Sequence, residues 1–129
     1  MSESPAPATA AAPATTPSTT LPRPLRQVLS ATQVIASLAK LDGWKLHGDG
    51  ADVAIEKTFP FKNFLRTMSF VNAVAFIAEQ QDHHPEIVVN YGSCSVRFNT
   101  HDVQGITQTD FACAALVNAL QAPTTSRDL

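Results

Sequence analysis

Three of the four histidines in the chain, His83, His84 and His101, fall within one short stretch. His83 and His84 are adjacent and precede Pro85, while His101 follows Asn99 and Thr100. An imidazole titrates near pH ~6.5, so it can give or take a proton at neutral pH. Three such groups suit a reaction that consists only of proton movement. They could also hold Zn²⁺, with water in the fourth position. Adjacent side chains usually diverge, and the His-Glu-x-x-His helical spacing is absent, which counts against the metal. A third reading is bland: surface histidines around a helix end. That reading suits the fourth histidine, His47, which sits in a hairpin beside Gly48. No Gly-rich phosphate loop, Cys-x-x-Cys pair or nucleophile-elbow serine is present, so nothing points to redox or group-transfer chemistry.

The chain that must position these groups has 129 residues, enough for one domain, and 44% of them are hydrophobic. Its formal net charge of −2 gives no electrostatic reason to expect nucleic acid or an anionic membrane as partner. No apolar run approaches the ~20 residues needed to span a bilayer. Cys94 and Cys113, both in apolar-patterned segments, read as buried free thiols in a reducing, cytoplasmic compartment. The first 24 residues hold six of the nine prolines, with Ala, Thr and Ser at most other positions. Residues 1–26 therefore read as a disordered tail. Organellar targeting is the alternative, but the first basic residue is Arg23. The folded domain is expected over 27–122, with a frayed end at 123–129.

Ser30 and Gln33 have the spacing of a capping box, and Val34, Leu38 and Leu41 follow at helical spacing up to Gly43. Strands are expected at 44–47 and 53–58, turned by Gly48-Asp49-Gly50. Pro60 marks the start of a long helix, from about Lys62 to Gln81. Phe61, Phe64, Leu65, Met68, Val71 and Ala75 share one of its faces, and Phe70, Val74 and Ile77 form a second apolar strip. A helix apolar over so much of its circumference needs partners on more than one side, and one of them is expected to be another subunit. Pro85 helps to end this helix and holds His84 extended. Strands at 86–91 and 95–100 meet at Gly92-Ser93. In the second, Cys94, Val96 and Phe98 alternate with Ser95, Arg97 and Asn99, so one face is buried and the other faces solvent or a site. Thr107 and Asp110 open a last helix as a weaker capping box. The order α-β-β-α-β-β-α predicts an α+β domain, with helices packed on one face of a four-stranded antiparallel sheet.

One run of residues goes further. Glu79, three residues, His83-His84-Pro85, five residues, Tyr91, nine residues, His101, eight residues and Asp110 resembles the pattern of the pterin-4a-carbinolamine dehydratases. The strings DHHPE, NTH and FPFKNF and the pair Gly43-Trp44 are similar to segments of the same family, over residues 28 to 121. The resemblance implies dehydration of a 4a-hydroxytetrahydropterin to quinonoid dihydropterin, in recycling of the pterin used by aromatic amino acid hydroxylases. It implies no metal or organic cofactor, and a homodimer or homotetramer. It assigns His83, His84 and His101 as catalytic and substrate-binding; on that assignment we expect His83 and His101 to exchange protons and His84 to bind and orient the substrate. Asp82, Asn99, Thr100 and Asp102 would line the pterin pocket, with Asn99 standing where serine is expected. Glu79 and Asp110 match the pattern, and each has an alternative reading of equal weight: Glu79 solvates a helix and Asp110 caps one. Trp44 reads as core or pocket wall. Because some family members serve as dimerisation cofactors for a transcription factor, a non-catalytic interaction module is the alternative function.

Overall fold

Ser30 opens the first helix with the reciprocal cap its spacing implies. Its Oγ accepts the Gln33 N–H at 3.2 Å, and Gln33 Oε1 accepts the Ser30 N–H at 2.8 Å. The computed structural model describes residues 27–121, so the expected tails at 1–26 and 123–129 lie outside the described residues. Helix α1 spans Ala31–Ala39, ending before Gly43 rather than at it. Lys40 and Leu41 instead turn back onto the carbonyls of Ser37 and Leu38. Gly43 lies in the turn beyond, at φ +84°, where an added Cβ would come within 2.7 Å of Lys57 Cε. Glycine is needed there for the reversal into the sheet, not to stop the helix.

The remaining elements are β1 (Lys45–His47), β2 (Ala54–Pro60), α2 (Phe64–Gln81), β3 (Glu86–Asn90), β4 (Ser93–Phe98) and α3 (Gln108–Ala119). The strands form one antiparallel sheet in the order β1-β2-β4-β3. The chain is thus the α+β arrangement its pattern predicts. Several boundaries differ, and the strand expected at 95–100 runs from Ser93 to Phe98, so that Ser93 pairs within the sheet and Asn99 and Thr100 lie beyond its end. Pro60 is the last residue of β2 and pairs with Ser93, rather than leading the helix. The helix start belongs to Asn63, whose side chain accepts the Arg66 N–H at 2.9 Å. The β1–β2 connection is longer than a tight hairpin and contains a 3₁₀ turn at Gly50–Asp52.

Register decides which residues meet the helices. Ile55 faces Phe98, and Phe59 faces Cys94, on one side of the sheet. Those four and Val96 are completely buried, together with Val74 of α2 and Cys113, Ala114 and Val117 of α3. Aromatic rings knit the layer: Phe59 and Phe70 lie 4.6 Å apart, and Trp44 lies 6.0 Å from Phe98. Of the two apolar strips read on α2, the Phe70–Val74 strip faces this core. The other is exposed at Phe64 and Leu65. The opposite face of the sheet carries Lys45, His47, Ala54, Glu56, Thr58, Ser95, Arg97 and Glu86, a largely polar surface over which no helix of the described residues packs.

Asn118 fastens the far side of the core. Its Oδ1 accepts from Trp44 Nε1 at 2.9 Å and from Lys57 Nζ at 3.0 Å, while its Nδ2 donates to the Asp42 carbonyl at 3.2 Å. One α3 side chain thus joins β2 to the turn before β1. Asn118→Ala is expected to lower the unfolding free energy by about 1–3 kcal/mol, since it leaves a buried indole N–H without its acceptor. Denaturant unfolding followed by the fluorescence of Trp44, the single tryptophan of the chain, measures it.

Candidate active site

The end of α2 sorts the two adjacent histidines. Asp82 stops the helix in the left-handed region at φ 52°, and the His83 N–H turns back to the Ala78 carbonyl at 3.1 Å. Asp82 is therefore a helix stop, a costly conformation for a non-glycine residue that a short polar side chain tolerates best. Beyond it, His83 turns inward and His84 outward.

His83 is buried, stacked nearly parallel on Phe98 with ring centroids 5.8 Å apart. Its Nε2 lies 2.6 Å from Asp110 Oδ1, and the Asp110 side chain is fully buried. The other carboxylate oxygen, Oδ2, accepts from Thr100 Oγ1 at 2.8 Å and from the Thr107 N–H at 2.9 Å. Thr100 and Thr107 hydroxyls lie 2.7 Å apart. Asp110 therefore caps α3 and anchors His83 together; the two readings of this residue are one arrangement. With Asp110 ionised, His83 donates from Nε2, and its Nδ1 is the nitrogen left for other work. The same charge reaches Cys113. Burial first, and Asp110 second, push that thiol up to about 12, and burial also pushes Cys94 up.

His84 is exposed, with Nε2 2.7 Å from Glu79 Oε2 on the last turn of α2. This solvent-facing pair orients the ring more than it stabilises the fold. His101 sits in a short 3₁₀ turn, His101–Val103, after β4. The Thr100–Gly105 bridge closes that loop, with Thr100 N–H on the Gly105 carbonyl at 2.9 Å.

A cavity of about 570 Å³ opens on the uncovered sheet face, and His84, Pro85, Asn99 and His101 line it. His47, Gly48, Asp52, Ala54, Glu86 and Arg97 complete the lining. Of the residues singled out from the sequence, then, His84, Asn99 and His101 share the cavity. His83, Thr100 and Asp110 form the buried support beside it. Asp82 and Asp102 are exposed and are not among the lining residues; Glu79 meets the site through His84. Trp44 is in the core on Asn118. Tyr91 lies at the opposite end of β3, stacked on Phe64. The sequence reading left His47 on the surface. What it could not give was the pairing of β2 with β4, which brings the expected β1–β2 hairpin, and His47 with it, beside the site.

Arg97 is bound on both arms: Nη2 to Glu56 Oε2 at 3.0 Å and Nη1 to Glu86 Oε1 at 2.9 Å. The Glu56 hydrogen bond is the main reason its pKa rises above the ordinary arginine value. His47 Nδ1 lies 3.1 Å from the other Glu56 oxygen. Among the described residues, no group of three or more His, Cys, Asp or Glu side chains is placed to hold a metal ion. No helix among them is long and apolar enough to cross a membrane.

Two outcomes follow from the buried pair. His83→Ala leaves the Asp110 carboxylate buried without its ring partner, and unfolding should become easier by about 3–5 kcal/mol in urea titrations. Cys113 should resist iodoacetamide at pH 8 in the native protein and react once unfolded. Its raised pKa contributes stability that is fully present below the unfolded thiol's ~8.5 and is lost as pH rises toward the folded value. Unfolding midpoints measured across that alkaline window check the sign.

Comparison with known proteins gives a consistent result. The family model described as Pterin 4 alpha carbinolamine dehydratase matches residues 27–120. A Paracidovorax citrulli protein, provisionally named pterin-4-alpha-carbinolamine dehydratase, is 60% identical over 97 residues, covering 75% of this chain and 84% of the relative. A similarly named Bdellovibrio bacteriovorus protein is 46% identical over 101 residues, covering 75% and 81%. A crystal structure of a transcriptional coactivator/pterin dehydratase from Brucella melitensis superposes with a TM-score of 0.68 at 33% identity, covering 73% of this chain and 98% of that one.

Proposed function

The chain belongs to the pterin 4 alpha carbinolamine dehydratase family, and on that premise we propose that it dehydrates a 4a-hydroxytetrahydropterin to quinonoid dihydropterin and water. The observation that carries this reading is the lining of one open cavity by His84 and His101, beside the buried His83–Asp110 pair. The reaction needs a proton delivered to the C4a hydroxyl as it leaves and a proton removed from N5. The C4a–O bond breaks, the C4a=N5 bond forms, and no electron acceptor is required. Two positioned imidazoles supply both transfers, and the residues account for the chemistry without a cofactor.

The cavity lining favours His84 and His101 as the exchanging pair. This differs from the division expected from the sequence, in which His83 exchanges and His84 mainly binds and orients. His83 is committed to Asp110 through Nε2 and is absent from the lining; it acts as a positioning residue that fixes where the chain leaves α2. Glu79 steadies the His84 ring, and Asn99 offers an amide to the substrate. The biological setting under this reading is cytoplasmic recycling of the pterin of an aromatic amino acid hydroxylase.

A second reading has its own observation. Leu65 and Phe76 on α2 are 75% and 72% exposed, and Phe64 and Tyr91 extend that apolar surface. A surface of this kind suits a homodimer, a homotetramer or a partner protein, as an interaction module would use. Such a module has no need of a histidine-lined cavity, which is why the enzyme is preferred.

A coupled assay in which a hydroxylase generates the 4a-hydroxypterin decides between them. The wild-type protein should accelerate dehydration, and His84→Ala and His101→Ala should each lose ~10²–10⁴-fold in kcat/KM. A chelator should leave the rate unchanged. No acceleration by the wild-type protein would leave the interaction module as the surviving reading.

A further inference from the structure

The histidines are not held alike. His83, His84 and His47 each have a carboxylate on the ring, from Asp110, Glu79 and Glu56 respectively. Among the described residues, no side chain bonds the His101 ring. Its place at the cavity is therefore set by the backbone that carries it, and that backbone leaves the sheet after Phe98. Consecutive Cα atoms stand ~3.8 Å apart, so Thr100 fixes where the His101 side chain begins. Thr100 is completely buried, and three bonds hold it. Its N–H donates to the Gly105 carbonyl at 2.9 Å, its carbonyl accepts the Val103 N–H at 3.1 Å, and its hydroxyl donates to Asp110 Oδ2 at 2.8 Å.

A threonine hydroxyl has a single hydrogen, and Asp110 takes it. The Thr107 hydroxyl, 2.7 Å away, must then donate to Thr100 Oγ1. The chain runs one way, from Thr107 through Thr100 to the buried carboxylate, and leaves the Thr100 side chain no donor for a ligand. The outer side of the loop is closed by the segment that enters α1. The Leu29 N–H donates to the Ile106 carbonyl at 2.8 Å. A Cβ at Gly105 would come within 3.0 Å of Val28 Cγ1, so Val28 lies directly against the loop backbone. Between the inner and outer contacts Gln104 keeps a left-handed φ of 53°, a costly conformation that persists only where the surroundings impose it.

We infer that Thr100 is a positioning residue: its hydroxyl, locked on Asp110, aims His101 at the cavity, with Val28 backing the loop from outside, and it does not bind the substrate. The effect on rate rests on the dehydratase reading above, but the His101 ring signal tests the inference without turnover. Thr100→Val removes the hydroxyl and keeps the methyl, whereas Thr100→Ser keeps the hydroxyl. In the coupled dehydration assay Thr100→Val should lower kcat ~10-fold or more with KM nearly unchanged, as a small displacement of a reacting group does. Thr100→Ser should restore most of that loss. In a His101→Ala background Thr100→Val should have no further effect, because the group it acts through is gone. A merely structural loss would persist there, and a substrate contact at Thr100 would raise KM. In proton–carbon spectra of the histidine rings, Thr100→Val should shift and broaden the His101 signal and leave that of His47 in place. Val28→Ala, at a residue 55% exposed, should move the same signal and lower kcat in the same direction. If Thr100→Val does not fold, Val28→Ala decides alone. An unmoved His101 signal, a change confined to KM, or equal losses with and without His101 overturns the inference. A displaced His101 signal in a protein whose wild type shows no dehydration activity would uphold it and sink the dehydratase instead.

Discussion

A fully buried carboxylate is the constraint around which this domain is arranged. Asp110 takes His83 on one oxygen, and the Thr100 hydroxyl and the Thr107 N–H on the other. Removing an ion from water costs several kcal/mol unless its lone pairs are answered, so each partner is held as firmly as the charge itself. Those partners come from the end of α2, the end of β4 and the start of α3. The carboxylate therefore fixes the relative placement of three elements that sequence distance keeps apart. The loop carrying His101 and the turn carrying His84 both spring from these fixed points. The cavity geometry follows from a group that does not itself line the cavity.

Much of this was legible from the residues. The alternation of Cys94, Val96 and Phe98 with Ser95, Arg97 and Asn99 marks both faces of β4 before any coordinates. The caps at Ser30 and Thr107 are written in side chains three residues apart, because a cap is a local hydrogen-bond problem. Local signals failed where they had two uses. Gly43 and Pro60 both read as helix punctuation, yet both serve the strands: one makes a positive-φ turn tight against Lys57, and the other ends β2.

The candidate site was legible to a lesser depth. The adjacent histidines differ in burial because the chain leaves α2 at Asp82, just before them, in the left-handed region, and nothing in the types His-His-Pro announces that exit. The contribution of β1 was hidden for a different reason. His47 reaches the cavity through strand order, which sets β1 next to β2 and β2 next to β4. Pairing across non-adjacent strands is a tertiary fact, and short apolar-polar runs such as Lys45–His47 carry little of it.

The two halves of the cavity also differ in what they cost to alter. The half carrying His84 and His101 springs from a buried network in which loss of His83, Thr100 or Asp110 leaves a polar group stranded. The half built from β1, β2 and the open face of β4 consists of side chains standing on a finished sheet, with solvent beyond them. Substitutions there leave the core, the helix caps and the Asp110 contacts untouched. The wall of the cavity can therefore change through surface substitutions while the interior network that places His84 and His101 stays as it is.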